Sequence, residues 1–112
     1  MEIKTETIQN CELVTVSGEL DSDSASALEQ RLLSLIKSGR KNLVINLRDV
    51  SFMSSVALRA LMAAQMQVRK KVPRGKVVIS EIPSQLRRTF ELVGMQVMFE
   101  LYDSDREAIE SF

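Results

Sequence analysis

The chain has 112 residues, of which 45% are hydrophobic and 27% are charged, so it carries enough apolar material for one compact core. Its 15 Lys and Arg residues balance its 15 Asp and Glu residues, which excludes a strong overall field toward nucleic acid or an anionic membrane. The absence of histidine excludes a Ser-His-Asp or Cys-His catalytic arrangement and a His-containing metal site. We therefore expect a single domain over residues 1–112 whose partners are chosen by local surface.

The first two predicted elements are strands that form an antiparallel hairpin. Residues 2–8 alternate weakly between polar and apolar side chains, and the pair Gln9-Asn10 that follows is typical of a turn. A second strand is predicted over residues 13–16. The only cysteine, Cys11, lies near its start and is interpreted as a small apolar filler, which fits a reducing compartment.

A helix, a buried strand and a second helix follow the hairpin. From Ser24 the apolar residues recur with helical spacing, and Ser22, Asp23 or Ser24 is expected to cap this first helix. Residues 42–47 form a nearly continuous apolar run, which is typical of a buried central strand. A second helix is predicted over residues 55–71. Its apolar residues form two adjacent stripes, which predicts burial on more than one side: Ala57, Leu61, Ala64 and Val68, beside Leu58, Met62 and Met66.

The last third of the chain continues the alternation of strands and helices. Residues 76–80 predict a strand, residues 83–94 a helix and residues 97–101 a fifth strand. A capping box that begins at Ser104 predicts a short final helix that buries Ile109. The order β-β-α-β-α-β-α-β-α predicts an α/β fold, with a mixed sheet of about five strands, four helices and right-handed crossovers between parallel strands.

Several classes of function are disfavoured by what the sequence lacks. Charged residues interrupt every apolar run before membrane-spanning length, and no signal pattern precedes the first strand, so we expect a cytoplasmic chain without membrane insertion. The isolated glycines form no phosphate-binding loop, which argues against nucleotide hydrolysis. The basic run at residues 69–76 has no interleaved aromatic residue, which favours a solvated helix end over direct nucleic-acid binding. We expect no cofactor, no metal and no enzymatic activity.

Two groups of polar residues near predicted strand ends are candidates for function. Ser54 and Ser55 lie at the start of the second helix, at the carboxyl end of a parallel strand, where α/β domains commonly place functional loops. A serine there either caps the helix or accepts a phosphate, because a helix N-terminus offers free N–H donors and a positive dipole end. Glu19, Asp21 and Asp23 follow the second strand and form either a solvated loop or a partner-facing rim.

Four segments of the chain match one known family in the correct order. Residues 18–21, Gly-Glu-Leu-Asp, resemble a motif that follows the family's second strand, and residues 42–53 resemble its central strand and turn. Residues 86–94 and the late strand and helix resemble its C-terminal third. Residues 54–58 align with its Asp-Ser-(Ser/Thr)-Gly-Leu signature, from which three of five positions differ. The chain thus resembles the STAS domain family (sulfate transporter and anti-sigma factor antagonist), and specifically its free-standing bacterial anti-sigma factor antagonists.

This resemblance implies a regulator that acts by phosphorylation-dependent protein binding. The family's phosphorylated serine falls on Ser55, with Ser54 as the alternative acceptor. The implied partners are a serine kinase that is also the anti-sigma factor, which binds the unphosphorylated form, and a PP2C-type phosphatase that resets the system. The surface facing these partners is expected to include Glu19, Asp21, Asp23, Ser54, Val56, Ala57 and Arg59.

Two other functions stay open beside this one. The altered signature is compatible with a non-phosphorylated STAS subunit of a membrane transport complex. A weak nucleotide-binding module is a third class, which the isolated glycines disfavour. The presence or absence of phosphate on Ser54 or Ser55 separates the first function from the other two.

Overall fold

The structure, a computed structural model, describes residues 1–112 and shows a five-stranded sheet with four α-helices. In chain order the elements are β1 (Glu2–Ile8), β2 (Cys11–Leu20), α1 (Ser22–Lys37), β3 (Asn42–Met53), α2 (Ser55–Arg69), β4 (Lys76–Ser80), α3 (Ser84–Leu92), a 3-10 turn (Met95–Val97), β5 (Leu101–Tyr102) and α4 (Asp105–Glu110). The strands lie side by side in the order β1-β2-β3-β4-β5. β1 pairs with β2 in antiparallel fashion, and every other neighbouring pair is parallel. The predicted element order and mixed sheet are confirmed.

β3 is the central strand, and its first half separates two apolar layers. Residues 43–47 are all buried, as expected of a parallel strand covered on both faces. Leu43 and Ile45 face the larger core, which also contains buried residues of α1, α2 and α3. Val44 faces a smaller core that includes Ala108 of α4. Three helices therefore pack on one face of the sheet and α4 on the other.

The residue that caps helix α1 is not one of the three that were predicted to cap it. The carboxylate of Asp21 accepts the backbone N–H of Ser24 at 2.9 Å, so Asp21 is the N-cap, and Ser22, Asp23 and Ser24 already belong to the helix. The cap prediction was wrong because β2 continues to Leu20, through pairing with β3 that the sequence of β2 does not reveal. The chain therefore passes from strand to helix within two residues.

The helix α2 confirms one predicted stripe and corrects the other. Ala57, Leu61, Ala64 and Val68 are all fully buried. Met66, however, is 52% exposed, and its neighbour Gln65 is buried instead. The amide group of Gln65 donates to the carbonyls of Val77 and Met98 and accepts the N–H of Val77, so a polar residue occupies the core with its hydrogen bonds satisfied.

The fifth strand is shorter and later than predicted. The predicted span 97–101 overlaps the 3-10 turn at Met95–Val97, and β5 contains only Leu101 and Tyr102. The chain reverses at Gly94, whose φ of 77° is left-handed, and the turn that follows directs Phe99 into the larger core. The apolar residues of this segment are therefore used for packing rather than for strand pairing.

The last helix begins where the capping box was predicted. The Ser104 hydroxyl accepts the N–H of Glu107 at 3.1 Å, which confirms Ser104 as the cap of α4. Ala108 is the residue that α4 buries completely, whereas Ile109 is half-buried at the edge of the smaller core. None of the helices combines the length and the apolar composition needed to cross a bilayer.

Candidate functional site

The candidate site lies where β2 and β3 end side by side. Parallel pairing places Leu20 opposite Met53, and the Ser54 N–H donates to the Leu20 carbonyl at 2.9 Å. Each strand then leads directly into a helix, α1 after Asp21 and α2 after Ser54. The acidic cluster and the serine pair that the sequence singled out are therefore neighbours at one edge of the sheet.

The two serines at the start of α2 have different environments. Ser54 is half-buried, and its hydroxyl accepts the N–H of Ala57 at 3.2 Å, so the interpretation of Ser54 as an N-cap is confirmed. Ser55 is the first residue of α2; it is exposed, and its hydroxyl makes no hydrogen bond to the rest of the chain. The first turn of α2 contains no acidic residue to offset the positive end of its dipole. Ser55 thus presents a free hydroxyl at a site that tolerates negative charge.

The acidic cluster is exposed, and its loop is held by local hydrogen bonds. Glu19, Asp21 and Asp23 are all exposed. The backbone N–H and the hydroxyl of Ser24 both donate to the Asp21 carboxylate. These hydrogen bonds, the one from the backbone N–H first, lower the pKa of Asp21 below its ordinary value. The Ser24 hydroxyl also lies 2.9 Å from the Glu19 carbonyl oxygen. The loop therefore offers fixed negative charge at neutral pH.

The other residues expected at the partner surface differ in accessibility. Arg59 is exposed and lies one helical turn beyond Ser55, so the two side chains share a face of α2. Val56 is half-buried at the edge of the larger core. Ala57 is 0% exposed. The complete burial of Ala57 contradicts its predicted place on the partner-facing surface, because α2 turns this residue toward the core.

Sequence analysis missed Phe52, whose side chain is 51% exposed at the end of β3. In a regular strand, successive side chains point to opposite faces of the sheet, so two neighbours are not both expected to be exposed. A register shift between Gly18 and Glu19 of β2 lets both Ser51 and Phe52 face solvent. Phe52 pairs with Glu19 across the two strands. The sequence does show an aromatic residue two positions before the serine pair. It does not show that the side chain is exposed, because the register shift decides its orientation.

The arrangement brings polar, charged and apolar groups together at one edge of the sheet. No group of three or more Cys, Asp or Glu side chains is placed to hold a metal ion. The edge formed by β2, β3, α1 and α2 instead presents one free hydroxyl, three carboxylates, a guanidinium and an apolar ring. An exposed aromatic ring with polar groups beside it resembles the apolar centre and polar rim of a surface that binds another protein.

Comparison with known proteins identifies the family of this chain. A family model of the STAS domain matches residues 2–108, so the chain belongs to the STAS domain family. The resemblance inferred from the sequence motifs is confirmed.

Several proteins to which the chain is similar are anti-sigma factor antagonists. The anti-sigma-B factor antagonist of Bacillus subtilis is 30% identical over 88 residues, which cover 79% of this chain and 78% of that protein. The crystal structure of an anti-sigma factor antagonist from Mycobacterium paratuberculosis has a TM-score of 0.87 at 29% identity, covering 98% of this chain and 92% of that one. The Bacillus cell fate determinant SpoIIAA in its phosphorylated form, with a TM-score of 0.76 at 18% identity and 98% coverage of both chains, shares the fold. The first two similarities support the role of an anti-sigma factor antagonist.

Proposed function

We propose that this protein is an anti-sigma factor antagonist, without catalytic activity of its own, that is switched by phosphorylation of Ser55. The observation that carries the proposal is the contrast between the two serines. Ser55 is exposed with a free hydroxyl, whereas the Ser54 hydroxyl is held by the cap of α2. A kinase would have to break that cap, which contributes about 1 kcal/mol, before it could reach Ser54. The similarity to SpoIIAA, which has a phosphorylated form, is in keeping with this assignment.

In its unphosphorylated form the protein binds a serine kinase that is also the anti-sigma factor. Phe52 supplies an exposed aromatic contact of the kind that dominates binding energy at protein interfaces. Glu19 pairs with Phe52, and Asp21 and Asp23 follow at the same edge of the sheet, so their negative charge steers a basic partner surface and excludes an acidic one. Binding of the kinase releases the sigma factor that it holds.

Phosphorylation of Ser55 ends this binding by placing a bulky, strongly hydrated group in the packed interface. A phosphate adds about −1.5 to −2 charge to a face that already carries three exposed carboxylates. The start of α2 accommodates the charge because a helix N-terminus stabilises an anion by about 0.3–1 kcal/mol and Arg59 lies one turn away. The fold is therefore retained, while the bulk of the phosphate and the cost of removing its water oppose seating of the partner on this face. A PP2C-type phosphatase restores the hydroxyl.

The altered family signature is compatible with this function. Ser54 stands where the family has Asp, and it makes the capping hydrogen bond to Ala57 N–H. Because Ser and Asp are comparable N-cap residues, the substitution keeps the helix start and removes one negative charge beside the acceptor. The change thus alters the charge that a kinase or phosphatase contacts beside the acceptor, and it leaves the position of Ser55 unchanged.

Phosphorylation by a serine kinase encoded beside the gene, mapped by mass spectrometry, tests the proposal. Ser55→Ala is expected to abolish phosphate incorporation at unchanged stability. Ser54→Ala is expected to keep incorporation but to lose about 1 kcal/mol of unfolding free energy through the cap. Ser51→Ala, which alters an exposed serine three residues before the cap, is the matched control and should change neither.

The binding half of the proposal has its own measurement. Ser55→Asp should weaken binding to the kinase, measured by calorimetry, while circular dichroism shows an intact fold. Phosphate on Ser54 in the wild-type chain would refute the residue assignment. If neither serine carries phosphate in protein isolated from its own organism, the proposal fails, and a non-phosphorylated STAS subunit of a membrane transport complex becomes the better interpretation.

A further inference from the structure

A cluster of cations covers the end of the sheet opposite to Ser55. The loop between α1 and β3 and the loop between α2 and β4 meet there, at the amino ends of β3 and β4. Six cations in and beside these loops form no ion pair with an acidic side chain, and we call them the basic pole: Lys37, Lys41, Arg69, Lys70, Lys71 and Arg74.

The positive charge of the basic pole exceeds the negative charge close to it. Two further cations nearby are neutralised, Arg40 by Glu12 at 3.5 Å and Lys76 by Glu100 at 3.1 Å. The C-terminal ends of α1 and α2 contribute roughly half a negative charge each, which offsets about one of the six cations. Since the whole chain has a formal net charge of zero, the molecule is dipolar.

The two loops hold the basic pole in a fixed arrangement. A Cβ atom at Gly75 would lie only 2.1 Å from the Lys41 carbonyl oxygen, so the two backbones are in direct contact. The Gly75 N–H donates to the Val68 carbonyl at 2.9 Å, and the Lys41 ammonium group donates to the Pro73 carbonyl at 2.9 Å. The fold therefore holds positive charges close together. An anionic partner would relieve the repulsion between them.

An apolar residue protrudes from the middle of these cations. Val72 is 97% exposed and is flanked in sequence by Lys71 and Pro73. Beside the loop, Arg69 and Arg74 line an open recess of about 670 Å³ that also includes Asn42 and Lys76. A protruding apolar tip among cations, next to a recess large enough for a phosphate group, matches the chemistry of a lipid–water interface.

Nucleic acid fits the same surface less well. Binding of single strands relies on aromatic faces on which bases stack. The aromatic ring that lines the recess, Phe112, has the Lys76 ammonium group 5.2 Å from its centroid, so that face is occupied. A phosphate backbone would also leave Val72 without an apolar environment.

We propose that the basic pole is a docking surface for an anionic membrane. The chain binds peripherally, with Val72 at the level of the lipid headgroups and the cations of both loops on anionic phosphates. Because the pole lies at the amino ends of the parallel strands, Ser55 at their carboxyl ends faces away from the bilayer. The proposal is independent of phosphorylation at Ser55.

Flotation of the full chain with lipid vesicles tests the proposal. We expect binding to phosphatidylglycerol–phosphatidylcholine vesicles and none to phosphatidylcholine alone, with loss at high salt as the screening length falls from about 10 Å at 0.1 M to about 3 Å at 1 M. Combined Lys70→Glu, Lys71→Glu and Arg74→Glu should lower the partition coefficient at least about a hundredfold. Val72→Ser should lower it by up to about tenfold.

A matched variant controls for net charge. Combined Lys4→Glu, Arg31→Glu and Arg88→Glu reverses three exposed cations outside the basic pole and should keep partitioning within about threefold. Circular dichroism verifies that both triple variants fold, and the double variant Lys70→Gln with Lys71→Gln provides the same test with a smaller perturbation. Equal loss in both triple variants, or equal binding to neutral vesicles, would overturn the proposal. The proposal would also be overturned if single-stranded DNA bound the chain as tightly as anionic vesicles do and Val72→Ser weakened neither interaction.

Discussion

Gln65 provides the sharpest test of how α2 is held against the sheet. It is 2% exposed, and its side-chain amide makes three hydrogen bonds, to Val77 N–H at 2.8 Å, Val77 C=O at 2.9 Å and Met98 C=O at 2.7 Å. Gln65→Met keeps nearly the same length and a similar helix propensity, so the variant isolates these bonds. At about 0.5–1.5 kcal/mol each, three bonds account for roughly 1.5–4.5 kcal/mol.

We expect Gln65→Met to lower the unfolding free energy by about 2–4 kcal/mol, because it leaves the buried N–H of Val77 unpaired. Urea denaturation followed by circular dichroism measures this loss, provided that the m-value is unchanged. Gln67→Met, at an exposed position on the same helix, is the control and should stay within about 0.5 kcal/mol of wild type. A loss at Gln65 as small as the control would refute the argument that these bonds fix α2.

Three further predictions follow from packing and protonation. Leu61→Ala should cost about 2–5 kcal/mol in urea denaturation, since Leu61 is fully buried; less than about 0.5 kcal/mol would contradict its orientation. Burial raises the pKa of the Cys11 thiol, so a thiol reagent should label it only on unfolding, and rapid labelling of native protein would argue otherwise. Hydrogen bonds from Ser24 lower the pKa of Asp21. The stability that this carboxylate contributes should therefore be complete above pH 3.8 and should fall as acid protonates it. Identical curves of unfolding free energy against pH for wild type and Asp21→Asn would disprove this.

The order of elements was predictable because its signals are local. The change of apolar spacing at Ser24, the continuous apolar run at residues 42–47 and the capping box at Ser104 each lie within a few residues of the feature they predict. The cap at Ser54 is also a local signal, since its hydrogen-bond partner is the N–H of Ala57, three residues later in the chain. Half of the candidate site, the serine pair at a helix start, was therefore visible in the sequence.

The features that were missed depend on contacts between distant segments. Asp21 replaces the predicted caps because pairing with β3 extends β2 to Leu20. Phe52 is exposed because of a register shift in the same pairing. Gln65 is a polar residue in the core because its partners, residues 77 and 98, belong to later parts of the fold. Local periodicity contains none of this information, since each outcome is decided when two separate elements meet.

The close approach of Gly75 to Lys41 bears on how the surface of this protein can be re-engineered. The contact joins two backbones, so it demands glycine at position 75 but places no demand on the side chains displayed around it. A library that varies Lys70, Lys71, Val72 and Arg74 should consequently retain the fold, because all but the half-buried Lys71 are exposed. The two loops form a scaffold on which new binding specificities can be selected at a distance from Ser55.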